Sequence, residues 1–346
     1  MTLRGARVSS SSTSPGRAGR CALALLTALA VVAGCRSRSS PTFEPLKLAD
    51  GRVIPAETLS RGHSVYTYYC ASCHGERGDG QGPAGRGMRP VPRSFRQGLF
   101  KFGGVAVGEL PTDEALKRTL RRGLHGTPMF AWDVPDADQD AVLQYLKTFS
   151  PRWTQEPTGQ PLAMSPDPWK GREAEAVERG KVAYHVSGGG NAGCSGCHVA
   201  YLPRAELAAL LEKSLGRKVD LSRLDPYTAQ ARESDHPVEV DAKGEPTRTQ
   251  KVLPPDFLFH ELRTVWPEGE TVDGAPYTAE RQREDLYRVI ASGVGGAAMP
   301  TWKGAIPEEN LWALAYYVQS LVRLRDTDEA EALKARLRAS TMANPP

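Results

Sequence analysis

Two pentapeptides constrain this chain more than any other feature: Cys70-Ala71-Ser72-Cys73-His74 and Cys194-Ser195-Gly196-Cys197-His198. Each sets two thiols three positions apart, which puts both on one side of a helical turn, and follows the second thiol directly with an imidazole. Four of the six cysteines are committed to these pairs, so the even count is not read as three disulfides. A second pattern repeats further along. Residues 113–132 (DEALKRTLRRGLHGTPMFAW) and 283–302 (REDLYRVIASGVGGAAMPTW) align without gaps at an offset of 170. Glu114, Leu116 and Arg118 fall on Glu284, Leu286 and Arg288; Gly123, Gly126, Met129 and Trp132 fall on Gly293, Gly296, Met299 and Trp302. Each copy reads as a helix stopped by glycine, then a loop that presents a methionine.

C-x-x-C-H is the sequence that attaches haem covalently: the two thiols can add to the two vinyl groups of one porphyrin, and the imidazole is then directed at the iron. A redox dithiol would need a βαβ setting, and no β-branched run flanks either motif. A zinc site would need a histidine pair at finger spacing, which the sequence lacks. The glycine patterns Gly80-x-Gly82-x-x-Gly85 and Gly188-x-Gly190-x-x-Gly193 match a dinucleotide fingerprint but lie directly beside the haem motifs, with no strand before them. They are read as haem-flanking loops.

On these motifs the chain resembles class I cytochrome c twice over, across most of residues 58–325. Gly62-x-x-x-Tyr66 ahead of Cys70 fits the family's N-terminal helix, and Gly180-x-x-x-Tyr184 repeats it with six extra residues before Cys194. The resemblance implies an all-α fold of two tandem cytochrome c domains. It also implies two covalently bound haem c groups, held by Cys70 and Cys73 and by Cys194 and Cys197. The axial iron ligands would be His74 with Met129, and His198 with Met299. A thioether is a soft neutral donor that favours Fe(II), raising the potential relative to bis-histidine ligation. The family further uses a proline carbonyl to support the proximal histidine, for which Pro92 and either Pro254 or Pro255 are candidates. A terminal helix would close each haem crevice, over Asp140–Phe149 with Leu143 and Leu146, and over Glu308–Leu324 with Leu314 and Val318. Met88 follows His74 too closely to cross the haem, and His125 has no counterpart, because position 295 is glycine. His125, His185, His236 and His260 are read as loop or surface residues. Arg93 is a candidate for a haem propionate.

The ends of the chain carry the remaining signals. Residues 1–34 hold Arg4, Arg7, Arg17 and Arg20, no acidic residue, and the apolar run Cys21–Gly34. That run is too short to span a bilayer and suits an export signal. Val32-Ala33-Gly34-Cys35 resembles a bacterial lipobox, which implies cleavage before Cys35 and lipidation of its thiol and amine; an uncleaved anchor and ordinary signal cleavage nearby are the alternatives. The formal charge of +4 lies wholly in this leader, so residues 35–346 are neutral and carry no nucleic-acid footprint. The expected organisation is a signal at 1–34, a tether at 35–57, cytochrome domains at 58–150 and 172–325, a Pro-rich linker at 151–171 and a charged, solvated tail at 326–346. Between motif and methionine lie 55 positions in the first unit and 101 in the second. The excess, about 203–248, begins with an amphipathic helix bearing Leu207, Leu210 and Leu211, followed by a polar stretch. It either covers the second haem edge or docks a partner, or it is a solvated elaboration.

These features lead to the expectation of a non-enzymatic dihaem carrier, lipid-anchored on the periplasmic side of a bacterial envelope. It would pass single electrons between redox proteins such as a quinol-oxidising complex and a terminal oxidase or reductase. The alternatives are a dihaem peroxidase, which needs an open iron position, and a fixed cytochrome subunit of a membrane respiratory complex.

Overall fold

Two helix crossings, each made possible by a glycine, organise the residues described by the computed structural model: 41–186, 193–219, 227, 234–241 and 246–342. The expected signal, Cys35, the start of the tether and Gly188–Gly190 lie outside them. From Phe43 onward the chain packs as one unit, within which two helical clusters each have a core of their own.

In the first cluster, α1 (Ala56–Tyr69) leads into the single turn Ala71–His74. Next come α2 (Asp113–Arg122) and α3 (Asp136–Leu146). The Thr112 hydroxyl caps α2 by accepting the Ala115 N–H at 3.1 Å, and acidic residues in the first turn with arginines in the last complement the helix dipole. Helices α1 and α3 approach so closely that a Cβ on Gly62 would overlap the Ala141 carbonyl oxygen. Their apolar faces enclose Tyr66, Leu120, Val142 and Tyr145.

The second cluster repeats this plan with α4 (Glu173–Val186), α5 (Arg204–Leu215), α6 (Ala279–Ser292), α7 (Glu308–Arg323) and α8 (Asp328–Met342). Helix α4 crosses α7 at Gly180, where a Cβ would overlap the Ala313 carbonyl oxygen. Thr278 caps α6 through the Arg281 N–H at 3.3 Å, the counterpart of Thr112 on α2. Among the described residues no helix is long and apolar enough to cross a membrane.

The chain is helix-rich with few strands. The expectation of an all-α chain missed one substantial element, an antiparallel hairpin of β1 (Ser234–Val240) and β2 (Pro246–Val252) inside the insert. Its sequence is polar, so it lacks the apolar alternation by which a half-buried strand is read. The amphipathic helix expected at the start of the insert is α5, with Leu207 and Leu211 buried. Helix α8, expected to be solvated, is docked: Ala330 and Leu337 are buried, and the Arg204 N–H donates to Ser340 Oγ at 2.6 Å.

The Pro-rich segment 151–171 is also docked along its length. Trp153 is buried, the Gly159 and Leu162 N–H groups donate to the Leu110 and Gly104 carbonyls at 3.0 Å each, and Trp169 Nε1 donates to the Glu309 carbonyl at 2.8 Å. Between the clusters, α2 and α6 are joined by Arg122, which pairs with Asp285 at 2.8 Å and with Asp273; Tyr277 donates to Asp285 at 2.9 Å.

His185, expected at the surface, is fully buried on the face of α4 that α7 covers, between Tyr184 and Tyr317. Its Nδ1 donates to the Lys181 carbonyl at 2.7 Å, and burial pushes its pKa down to about 4. Between that value and the ordinary histidine pKa the unfolded chain binds more protons than the folded one, so stability is lost as pH falls through this window. We predict a loss of up to about 3 kcal/mol from this residue between pH 6.5 and pH 4, seen in urea titrations, and a shallower pH slope in His185→Gln. Gly62→Ala and Gly180→Ala should each cost about 2–3 kcal/mol by forcing a helix crossing apart, read as a lower denaturation midpoint with unchanged slope.

Candidate haem sites

The first motif is set by the end of α1. The Cys70 N–H closes the helix on the Tyr66 carbonyl at 2.8 Å, and the His74 N–H bonds the Cys70 carbonyl at 2.9 Å. Both thiols and the imidazole are thereby fixed on one turn. The second motif repeats the turn, with the Cys197 and His198 N–H groups donating to the Cys194 carbonyl at 3.0 and 2.8 Å. Burial, assisted by the second thiol of each motif, pushes Cys70 and Cys194 up to about 12. Redox dithiols have lowered, not raised, thiol pKa values, so these pairs have the wrong electrostatics for disulfide exchange. Among the described residues no three His, Cys, Asp or Glu side chains converge to hold a metal ion.

Each histidine is oriented by a backbone carbonyl. His74 Nδ1 donates to the Arg93 carbonyl at 2.9 Å, and His198 Nδ1 donates to the Pro255 carbonyl at 3.2 Å. Desolvation lowers both pKa values, which keeps the rings neutral and leaves Nε2 as the nitrogen able to hold iron. For the second motif this selects Pro255 over Pro254. For the first it corrects the expectation of Pro92: Arg93 occupies the place of Pro255 when VPRSF is aligned with LPPDF, and a carbonyl needs no proline ring. The same alignment pairs Phe95 with Phe257. Phe95 stacks on His74 at 4.6 Å and 22°, and Phe257 stacks on His198 at 5.0 Å and 21°. Behind them, Tyr66 donates to the carbonyl of Gly75 at 2.7 Å and Tyr184 to that of Val199 at 2.8 Å, in each case the residue after the histidine.

The methionine loops share their turn bonds. Helices α2 and α6 end at Gly123 (φ +68°) and Gly293 (φ +73°), where a Cβ would crowd the Met129 or Met299 carbonyl. The next N–H, of Leu124 or Val294, donates to that carbonyl at 2.7 or 3.1 Å, and the Thr127 or Ala297 N–H closes the turn at 3.1 Å.

Cys70, Cys73, His74 and Met129 all line one largely apolar cavity of about 220 Å³, with Phe95, Leu120 and Trp132. Around the second motif, Cys194, Met299 and Trp302 pack on the core that contains Phe257. Met88, set aside from the sequence, also lines the first cavity, whereas His125 lies outside it against Trp266.

The residues of the first cavity fit a haem: two thiols, one neutral imidazole with Nε2 unbonded, a thioether and apolar walls for a macrocycle. They also fit its anionic substituents. Arg93, Lys101 and Arg263 line the cavity, and no carboxylate does among the described residues. Desolvation pushes Arg93 down to about 10, and desolvation together with the other two cations pushes Lys101 down to about 8. The sequence pointed to Arg93 alone. Lys101 sits inside the apolar run Phe100–Phe102, and Arg263 reaches the cavity from the second cluster together with Gln250 of the hairpin. The second cluster and the last strand of the hairpin therefore contribute to the wall of the first site.

Residues 57–146 match the family described as cytochrome c oxidase, cbb3-type, subunit III. A chain of the Kuenenia stuttgartiensis reducing HAO-like protein complex is similar in structure, with a TM-score of 0.51 and 25% sequence identity, over 76% of this chain and 96% of that one. No curated protein matches the chain. Together with the C-x-x-C-H turn, the carbonyl-held imidazole and the apolar cavity, the family match supports a c-type cytochrome domain at residues 57–146, and covalently bound haem c is the cofactor it implies.

Proposed function

We propose that the chain is a dihaem cytochrome c, lipid-anchored through Cys35, that carries single electrons between redox proteins on the periplasmic side of a bacterial envelope. The observation that supports it most is the repetition around the two motifs: the same imidazole-to-carbonyl bond, the same stacked phenylalanine and the same methionine loop occur at both. One such site could be a remnant of another function; two preserved in this detail are two working sites.

A haem c bound at each site supplies the Fe(II)/Fe(III) couple. The protein does the rest. Cys70 and Cys73, and Cys194 and Cys197, anchor the macrocycles against loss. His74 and His198 present neutral Nε2 donors in orientations set by the Arg93 and Pro255 carbonyls. Met129 and Met299 would hold the irons as second donors beside the histidines, which would leave a substrate no open position. That favours outer-sphere transfer over peroxidase chemistry. The apolar walls exclude water, which keeps reorganisation small, and Arg93 and Lys101 offset the propionate charge. In this reading a cytochrome fold, at 58–150 and again at 172–325, lies on either side of the docked Pro-rich segment.

The names of the two matches favour one other reading. Both belong to multi-subunit assemblies, so this chain would be a fixed electron-transfer subunit of a membrane complex. Purification of the native chain separates the two: a carrier comes away from the membrane alone, and a subunit comes away with its partners.

The ligand assignment is tested by potentiometric titration with optical spectra. We expect Met129→Ala to lower the potential of one haem and leave the other in place, and Met299→Ala to do the converse. An unchanged potential and spectrum in either variant contradicts that ligand. Carbon monoxide added to the reduced wild type should shift neither haem, whereas a shift in one would favour the peroxidase reading.

A further inference from the structure

The two methionine loops do not stand alone: each is bonded by the opposite cluster. The Met129 loop is gripped by Arg263 of the second cluster. The His125 N–H donates to the Arg263 carbonyl at 2.8 Å, and the Arg263 guanidinium donates back to the carbonyls of Gly126 at 2.7 Å and His125 at 3.3 Å. The Met299 loop is gripped by the first cluster. The Gly295 N–H donates to the Lys101 carbonyl at 3.1 Å, and Thr301 Oγ1 accepts the Val107 N–H at 2.8 Å while donating to the Ser292 carbonyl at 3.0 Å. Contact at Gly295 is close enough that a Cβ would overlap the Phe100 carbonyl oxygen.

Lys101 and Arg263, the residues that grip the loops, also line the first cavity. Phe100 joins that cavity wall to the ring on the proximal imidazole, stacking on Phe95 at 6.0 Å.

A thioether is a weak donor, and a loop end is the part of a fold that opens at least cost. A methionine stays on iron only if the loop that carries it is held in register. Inside the Met129 loop the turn bonds and the Thr127 hydroxyl, which accepts the Met129 N–H at 3.1 Å, supply part of this hold, and the other cluster adds the bonds described above.

We propose that each cluster positions the other's sixth ligand, with Arg263 the positioning residue for Met129 and the Lys101–Val107 segment that for Met299. This rests on the dihaem reading and on the ligands assigned above. Its consequence is that neither iron depends on its own cluster alone: disturbing a residue that one cluster lends to the seam loosens the methionine carried by the other.

The test uses the full-length, haem-loaded ferric protein and imidazole as a competing ligand, followed through the charge-transfer band of methionine-bound ferric haem. Met129→Ala identifies the first iron's share of that band. In Arg263→Gln, imidazole should displace methionine from the first iron at roughly tenfold lower concentration, with the second iron unchanged. Arg263→Lys keeps the positive charge beside Arg93 and Lys101 but not the planar guanidinium that sets one nitrogen, Nη1, against both carbonyls, and should remain as sensitive as Arg263→Gln. Thr301→Val, at the other end of the seam, should sensitise the second iron alone, and it carries the test if the Arg263 variants do not fold. Wild-type imidazole sensitivity in the variants overturns the proposal. So does full rescue by lysine, which would make the effect one of cavity charge. A wild type without the methionine band, or a band that survives Met129→Ala undiminished, overturns the ligand reading and this inference with it.

Discussion

An imidazole can serve as a permanent iron ligand only if it is neutral, points one nitrogen at the metal and cannot rotate away. In this chain one interaction meets all three conditions: the Nδ1 bond to a backbone carbonyl, from His74 to Arg93 and from His198 to Pro255. It fixes the tautomer, leaves Nε2 for iron and pins the ring against Phe95 or Phe257. Much of the surrounding architecture keeps that bond in place. The glycine crossings let α1 and α3, and α4 and α7, close tightly behind each motif. The tyrosines that donate to the Gly75 and Val199 carbonyls fix the chain just past each histidine. Burial lowers the imidazole pKa values, which favours an Nε2 free of a proton.

Electrostatics then sort the cavity. Burial pushes the Cys70 thiol up and the His74 imidazole down, and cations line the first cavity with no carboxylate among its described residues. Such a set is unfavourable around an empty apolar space and favourable around a macrocycle with acidic substituents. That one of the cations comes from the second cluster means the first site is completed only when the clusters are docked. The docking is ionic and partly buried at Arg122–Asp285, where removing either partner would strand a charge.

What could be read from the sequence follows from how local each feature is. The C-x-x-C-H turns are five consecutive residues with one chemistry, and the methionine loops are visible because the pattern recurs at a fixed offset. Features that depend on distant residues were not legible. The carbonyl on His74 comes from Arg93, not the neighbouring Pro92, because backbone position rather than residue type decides it. Lys101 and Arg263 carry no local sign that they face a cavity, and His185 shows none that a helix will cover it. The hairpin strands Ser234–Val240 and Pro246–Val252 are largely polar, and the sequence marks them only as a polar stretch. The Pro-rich segment looked like a spacer because prolines stop helices, but its aromatic and backbone groups dock it against both clusters.

The central claim is that both motifs carry covalently bound haem c. Intact mass spectrometry of the denatured chain, isolated from cells competent for cytochrome c maturation, tests it most directly. The account predicts a mass increase of two haems in the wild type and of one haem in either double variant, Cys70→Ala with Cys73→Ala or Cys194→Ala with Cys197→Ala. A wild-type chain carrying a single haem, or a haem retained when all four cysteines are replaced, would contradict it.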